Sequence, residues 1–255
     1  IMVLMLSNDL VHWDKTVSID LASAENLKAL GLTRAQLTAA WAPEVIYDPV
    51  TKKYMMYYSV GVKGDRHRIY YSLFNEDLTG LTQPKLLFDP GYDVIDADIV
   101  YNKLDDQYVM FYKDERNGYK CVYRATAKTL VPEAGSTGAC QWKQDSDFII
   151  KESGKAIEGV SAYRPIGSRT WKVAYMLYGG GYAYKLADLD EHCANPGEAV
   201  TMSGEVKPQH GSFLTLTERE YTHLENWNQL ISLVKDAKAL NASAAYEPLT
   251  KAIET

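Results

Sequence analysis

Cysteine is scarce in this chain. Three residues, Cys121, Cys140 and Cys193, occur among 255, an odd number without paired spacing, so neither a disulfide framework nor a zinc site is read from them. Cys121 falls in a strand pattern as a small apolar residue, and the other two fall in loops. No apolar run approaches the ~20 residues of a membrane-spanning helix, so no membrane span is expected. Basic charge is neither abundant nor clustered. Twenty-seven Lys and Arg stand against 33 Asp and Glu, for a net charge of −6 and a pI near 5.4, which excludes a nucleic-acid groove. The chain opens on the strand-like run Ile1–Leu6 rather than on a basic leader with a cleavage site, and is expected to be an interior piece of a longer protein.

What is present favours one sizeable β-rich body. Hydrophobic residues make up 46% of the chain and charged residues 24%, enough for a real core. Nineteen tyrosines and five tryptophans against five phenylalanines suit strands, and supply rings with a polar edge. Short aromatic runs recur at 54–58, 108–112 and 173–177. Each follows an upstream strand signal, at 45–47, 99–101 and 161–163, across turn residues such as Asp48-Pro49, Asn102-Lys103 and Pro165 to Ser168, and each pair reads as a hairpin. A third strand follows at 68–73, 120–125 and 182–186, and the outermost strand is the weakest signal, best seen at 84–88. Units of this length with four short strands predict a β-propeller. Phe213-Leu214-Thr215 is the first strand of a further unit in this reading.

The pattern changes at the C-terminus. Thr217-Glu218-Arg219-Glu220 has the form of a capping box, with Leu216 and Tyr221 placed as a hydrophobic staple. Leu224, Trp227, Leu230 and Ile231 continue at helical spacing. The helix is expected to break at Asn241, with a second helix beginning in Tyr246 to Thr255. The domain reading is therefore a propeller over 1–216 and a helical connector or module over 217–255, with further modules of the same parent chain.

Three places upstream of the four first-strand signals stand Ala42, Asp96, Glu158 and His210, positions that a propeller would bring to a common axis. These residues, with Ser7 to Trp13, Trp41-Ala42-Pro43-Glu44-Val45-Ile46-Tyr47-Asp48, Ile95-Asp96-Ala97-Asp98-Ile99-Val100, Ile157-Glu158-Gly159 and His210-Gly211-Ser212, occur in the order found in glycoside hydrolase family 43. Over most of residues 1–227 the chain resembles that family. The resemblance implies an all-β, five-bladed propeller, its first blade incomplete here, and inverting hydrolysis of α-L-arabinofuranosides or β-xylosides in plant-type polysaccharides. A location outside the cytoplasm, periplasmic, cell-surface or secreted, goes with it.

An inverting glycosidase protonates the departing oxygen with one carboxylic acid and activates water with a second carboxylate, about 6.5–9.5 Å away. The resemblance implies that Glu158 is the general acid and that Asp96 sets its pKa and orientation, since a neighbouring negative charge disfavours ionisation. Asp98 shares the strand parity of Asp96 and competes for that role, or is a polar blade residue. His210 matches the family histidine at the axis, which holds a water-coordinated metal, a Ca or Na ion, or contacts sugar; a hydrogen-bonded structural histidine is the other reading. No cofactor is required. Trp41 either stacks on a sugar face or is a core aromatic. Lys113 and Arg164 are candidates to reach sugar hydroxyls, though a solvated loop role suits both.

The family's catalytic base is an Asp before Pro on the first strand of the first blade, upstream of Ile1. No Asp of this chain fits that duty, and feeble hydrolysis is expected of the chain alone. The alternative reading is a propeller that binds arabinan or xylan side chains without cutting them.

Overall fold

The computed structural model describes residues 1–116, 120–131, 142–178, 183–190, 197–200, 207 and 209–244, with side chains described through 239. Two compact units form, one of Ile1–Met2 with Ile19–Phe213 and one of Val3–Ser18 with Leu214–Thr255. Near the N-terminus β1 (Met2–Leu6) and β2 (Lys15–Ile19) pair as a two-stranded sheet, followed by the short helix α1 (Ala24–Leu30). Neither β2 nor α1 is read from the sequence, although α1 carries both end signals. Ser23 Oγ accepts the Asn26 N–H, and Gly31 closes the helix in the left-handed region at φ 68°.

Three four-stranded antiparallel meanders follow in the first unit. The first sheet is β3 (Leu37–Asp48), β4 (Lys53–Val62), β5 (Arg68–Leu73) and β6 (Lys85–Phe88). The second is β7 (Val94–Asn102), β8 (Gln107–Asp114), β9 (Val122–Ala127) and β10 (Lys143–Gln144). The third is β11 (Ala156–Tyr163), β12 (Trp171–Tyr178), β13 (Ala183–Leu189) and β14 (Glu198–Ala199). The predicted hairpins and third strands are all present, and the weak outer signals correspond to outer strands as short as two residues. The architecture is all-β with one long C-terminal helix. The expected five blades are not counted among the described residues, which hold three four-stranded sheets and one of two strands. Phe213-Leu214-Thr215 is not a strand; the Phe213 ring instead packs on Tyr163, with centroids 4.4 Å apart.

The central sheet explains the uninterrupted apolar run of β8. Strand side chains alternate between faces, and both faces of this sheet are covered. Tyr108, Met110 and Tyr112 enter a core shared with Met55, Tyr57, Ile69 and Phe88 of the first sheet. Val109 and Phe111 enter a second core with Ile157, Val160, Trp171 and Val173 of the third. The turns repeat as well. Asp48, fully buried, accepts the N–H groups of Val50 and Thr51, and Asn102 accepts that of Leu104. Lys52 and Asp106 then take left-handed φ values of 54° and 48° to close the two hairpins.

In the second unit, α2 (Glu218–Ala244) begins with the predicted capping box. The Thr217 N–H donates to Glu220 Oε2 at 2.7 Å, and the Glu220 N–H donates back to Thr217 Oγ1 at 3.3 Å. Trp227 meets His12 edge to face at 5.4 Å. The helix runs through Asn241, where a break was expected, because one asparagine mid-helix costs only some tenths of a kcal/mol in propensity. The second helix proposed for Tyr246 to Thr255, and Cys140 and Cys193, lie outside the described residues. Cys121 is free and buried, and burial pushes its thiol up to about 11.

Candidate functional site

Each first strand of the three sheets contains the same irregularity. The pairing slips between Trp41 and Glu44, between Ile95 and Asp98, and between Glu158 and Ser161, and within each slip one residue has a left-handed backbone: Ala42 (φ 47°), Asp96 (φ 52°) and Gly159 (φ 57°). Such bulges re-aim side chains at sheet ends. They also correct the sequence alignment. Gly159, not Glu158, is the counterpart of Ala42 and Asp96; Glu158 shares its position with Trp41 and Ile95, and Ser161 shares its own with Glu44 and Asp98.

Those bulges tie neighbouring sheets together. The Gly159 N–H donates to Asp96 Oδ2 at 2.8 Å, and the Ala162 N–H donates to Asp98 Oδ2 at 2.6 Å. One sheet earlier, the Ile99 N–H donates to Tyr57 Oη at 2.9 Å. Gly159 also lets the chain before His210 approach closely: a Cβ at 159 would lie 1.9 Å from the Gln209 carbonyl oxygen. His210 is thereby held at the bulge end, where its Nε2 lies 3.1 Å from Glu44 Oε1. Glu44 also accepts a short hydrogen bond from the Ser212 hydroxyl.

The structure brings Asp96, Glu158 and His210 into one electrostatic group. Burial raises the Glu158 pKa, the ion pair to Lys113 opposes this, and the charges of Asp96 and Glu115 push it up again. Burial pulls the His210 pKa down, but Glu44, Asp96 and Asp98 outweigh it and the net direction is upward. Asp98, buried and beside Glu44, is pushed up to about 7, although the Ala162 N–H and His210 act against that rise.

The other sequence candidates divide. Trp41 is half exposed at 51% and stacked on His67, with centroids 5.2 Å apart, so it is not a core aromatic. Lys113 is not in a solvated loop. It is fully buried at the end of β8, and strand parity aims it with Phe111 at the third sheet, where Nζ lies 2.5 Å from Glu158 Oε1 and 2.6 Å from Glu115 Oε2. A buried ammonium needs such partners, because leaving one unpaired is far costlier than pairing it. Arg164 is not brought to this group. Just past the opposite end of β11, its Nη1 donates to Asn102 Oδ1 at 2.6 Å and its guanidinium lies 4.5 Å from the Trp171 ring centroid. Glu44 was missed, and its signal was present: it stands at the same distance from the bulge as Asp98.

The donor set does not fit a directly ligated metal ion. Among the described residues no group of three or more His, Cys, Asp or Glu is arranged to hold one.

Against protein-family models, residues 1–222 match the glycosyl hydrolase family 43-related family, described as "Probable glycosyl hydrolase domain". A search of curated proteins gave no match. Similar solved structures include endo-1,5-α-L-arabinanase from Thermotoga petrophila RKU-1, at 17% identity and a TM-score of 0.51 over 72% of this chain and 47% of that one. The same enzyme in complex with TRIS gives 16% and 0.51 over 81% and 51%. An α-L-arabinofuranosidase from Lactobacillus brevis gives 14% and 0.47 over 66% and 58%. At these identities the likeness to the arabinanase is one of fold, and the chain spans about half the length of the structures it matches.

Proposed function

The chain belongs to the glycosyl hydrolase family 43-related family, and from that premise we propose that the intact protein cleaves α-L-arabinofuranoside or β-xyloside side chains of plant-type polysaccharides with inversion at the anomeric carbon. Glu158 is the general acid in this reading, and Asp96 holds its proton in place. The observation that carries it is the position of the Asp96 charge, which acts on Glu158 while its Oδ2 fixes the adjoining Gly159 N–H at 2.8 Å. A carboxylic acid that is partly buried and beside a second carboxylate keeps its proton to a higher pH, which suits a group that must protonate a departing alkoxide. Trp41, half exposed on the bulge residue's flank in the first sheet, is assigned to a sugar face. Polysaccharide as substrate goes with a place outside the cytoplasm, which we assign on that ground.

Incubation of the intact protein with aryl α-L-arabinofuranoside and aryl β-xyloside, followed by proton NMR of the first sugar released, tests the reading. Inversion delivers the opposite anomer first. Retained configuration, or no hydrolysis of either substrate, contradicts it.

One observation favours a second reading, a propeller that binds such side chains without cutting them. Lys113 Nζ lies 2.5 Å from Glu158 Oε1, and a partner so close favours an ionised carboxylate that accepts hydrogen bonds from sugar hydroxyls. Saturable binding of an arabinose-containing oligosaccharide with no cleavage by the intact protein selects this second function.

A further inference from the structure

At the end of the sheets away from the bulges, a cleft of about 480 Å³ opens between the second and third sheets. Its character differs from that of the bulge end, because cations gather in it. Arg124 is neutralised by Asp145, with Nε and Nη2 at 2.8 and 2.7 Å from Oδ2. Arg164, Arg169 and Lys143 also line the cleft, and among the described residues none of the three has a carboxylate within ion-pair distance.

Arg164 is the informative member. Among the described residues its one hydrogen bond goes to a neutral amide, its guanidinium carbon lies 4.5 Å from the Trp171 ring centroid, and its Nε is buried without a partner. Two acids remain in the lining, and each is engaged by a neutral donor: Asp105 by the Asn102 amide at 2.6 Å and Asp190 by the Thr170 hydroxyl at 3.0 Å. A half-buried guanidinium over an indole, with no carboxylate in ion-pair distance, has donor capacity left for an oxyanion, to which charge-assisted hydrogen bonds are strong. In keeping with this, burial lowers the Arg164 pKa, and Arg169 and Arg124 lower it further against the pull of Asp105.

A second groove of about 500 Å³ adjoins the same turns between the first and second sheets. There Tyr47 and Tyr101 stand 48% and 42% exposed, rings of the kind on which pyranose faces stack. Consecutive turn residues carry one groove into the other, Asp105 lining the cationic cleft and Asp106 the tyrosine groove.

We propose that this turn end is a second glycan-binding site, separate from the Glu158 group, that takes an acidic oligosaccharide. A hexuronate carboxylate sits among Arg164, Arg169 and Lys143, and a neighbouring sugar ring lies on Tyr101. The site does not depend on the role assigned to Glu158.

Calorimetric titration of the intact protein with an oligogalacturonate tests it, alongside the carboxyl-reduced neutral oligosaccharide and inorganic phosphate. Saturable binding is expected for the oligogalacturonate alone. It should weaken at least about tenfold in Arg164→Gln, and in the double variant Lys143→Gln/Arg169→Gln, which alters exposed side chains only and so leaves folding intact. Glu158→Gln should bind as the wild type does, which separates this site from the function proposed above. Equal binding of the neutral oligosaccharide, no binding of the acidic one, or loss of binding in Glu158→Gln would overturn the proposal. Phosphate binding as tight as the oligogalacturonate would reduce the cleft to a simple anion pocket, and the glycan assignment would fail.

Discussion

The two ends of the sheets in the first unit use the same strands for opposite electrostatic purposes. At the bulge end, carboxylates crowd: Glu44, Asp96, Asp98 and Glu158 lie near one histidine and one buried lysine, and the Glu158 and Asp98 pKa values are driven upward. At the turn end guanidinium groups crowd, and the Arg164 pKa is driven downward. Each crowding costs stability, and in each case the chain bonds the crowded groups to backbone or neutral amides rather than neutralising them fully. What differs is the backbone. At the bulge end backbone N–H groups donate to carboxylates of the neighbouring sheet, whereas at the turn end a side-chain bond from Arg164 to Asn102 spans the sheets beside an open cleft.

The largest effect should come from removing the device that closes the bulge end. Gly159→Ala puts a Cβ 1.9 Å from the Gln209 carbonyl at a φ of +57°, adding left-handed strain to a backbone clash. We expect a loss of about 2 to 5 kcal/mol in chemical denaturation. A loss under about 1 kcal/mol would mean that the segment before His210 is not held against Gly159.

A smaller effect isolates the carboxylate crowding itself. The pKa of Asp98 is raised from 3.8 to about 7, so the fold prefers its protonated form. The stability that this group contributes is complete below about pH 4 and is lost as pH rises towards 7. Asp98→Asn mimics the protonated acid and can keep the Ala162 N–H bond. Its melting temperature should exceed that of the wild type by a few degrees at pH 8, and the advantage should vanish at pH 4. A gain that is the same at both pH values would show that ionisation is not involved.

The smallest effect lies in the second unit, where Thr217→Ala removes half of the capping box of α2. A loss of roughly 1 kcal/mol is expected, or a matching drop in helix content by circular dichroism. An unchanged α2 would show that its start is fixed by packing and not by the cap.

Much of this was legible in the residues. Hairpins, third strands and the capping box follow from alternation, turn chemistry and the Thr-x-x-Glu spacing, all of them local signals. What escaped was set by non-local geometry. The bulges insert an unpaired position into each first strand, and whether that position falls on Glu158 or Gly159 depends on the partner strand. A fixed offset therefore placed Glu158 one residue out of register with Asp96, and it drew attention to Ala42 rather than Glu44. Lys113 read as a loop residue because a lysine after Tyr112 looks like a strand end; its burial follows from a carboxylate on the next sheet. Arg164 read as a solvated loop residue with a reach to sugar hydroxyls as the other option, and its position in the chain does not say to which end of the sheet it belongs.

The most direct measurement is the leaving-group dependence of Glu158→Gln in the intact protein. If Glu158 supplies the proton, kcat/KM should fall about 100- to 10,000-fold on natural glycosides, whose leaving groups need protonation, and far less on activated aryl glycosides. Equal losses on both substrate types, or full activity on natural glycosides, would contradict the assignment of the acid on which the account is built.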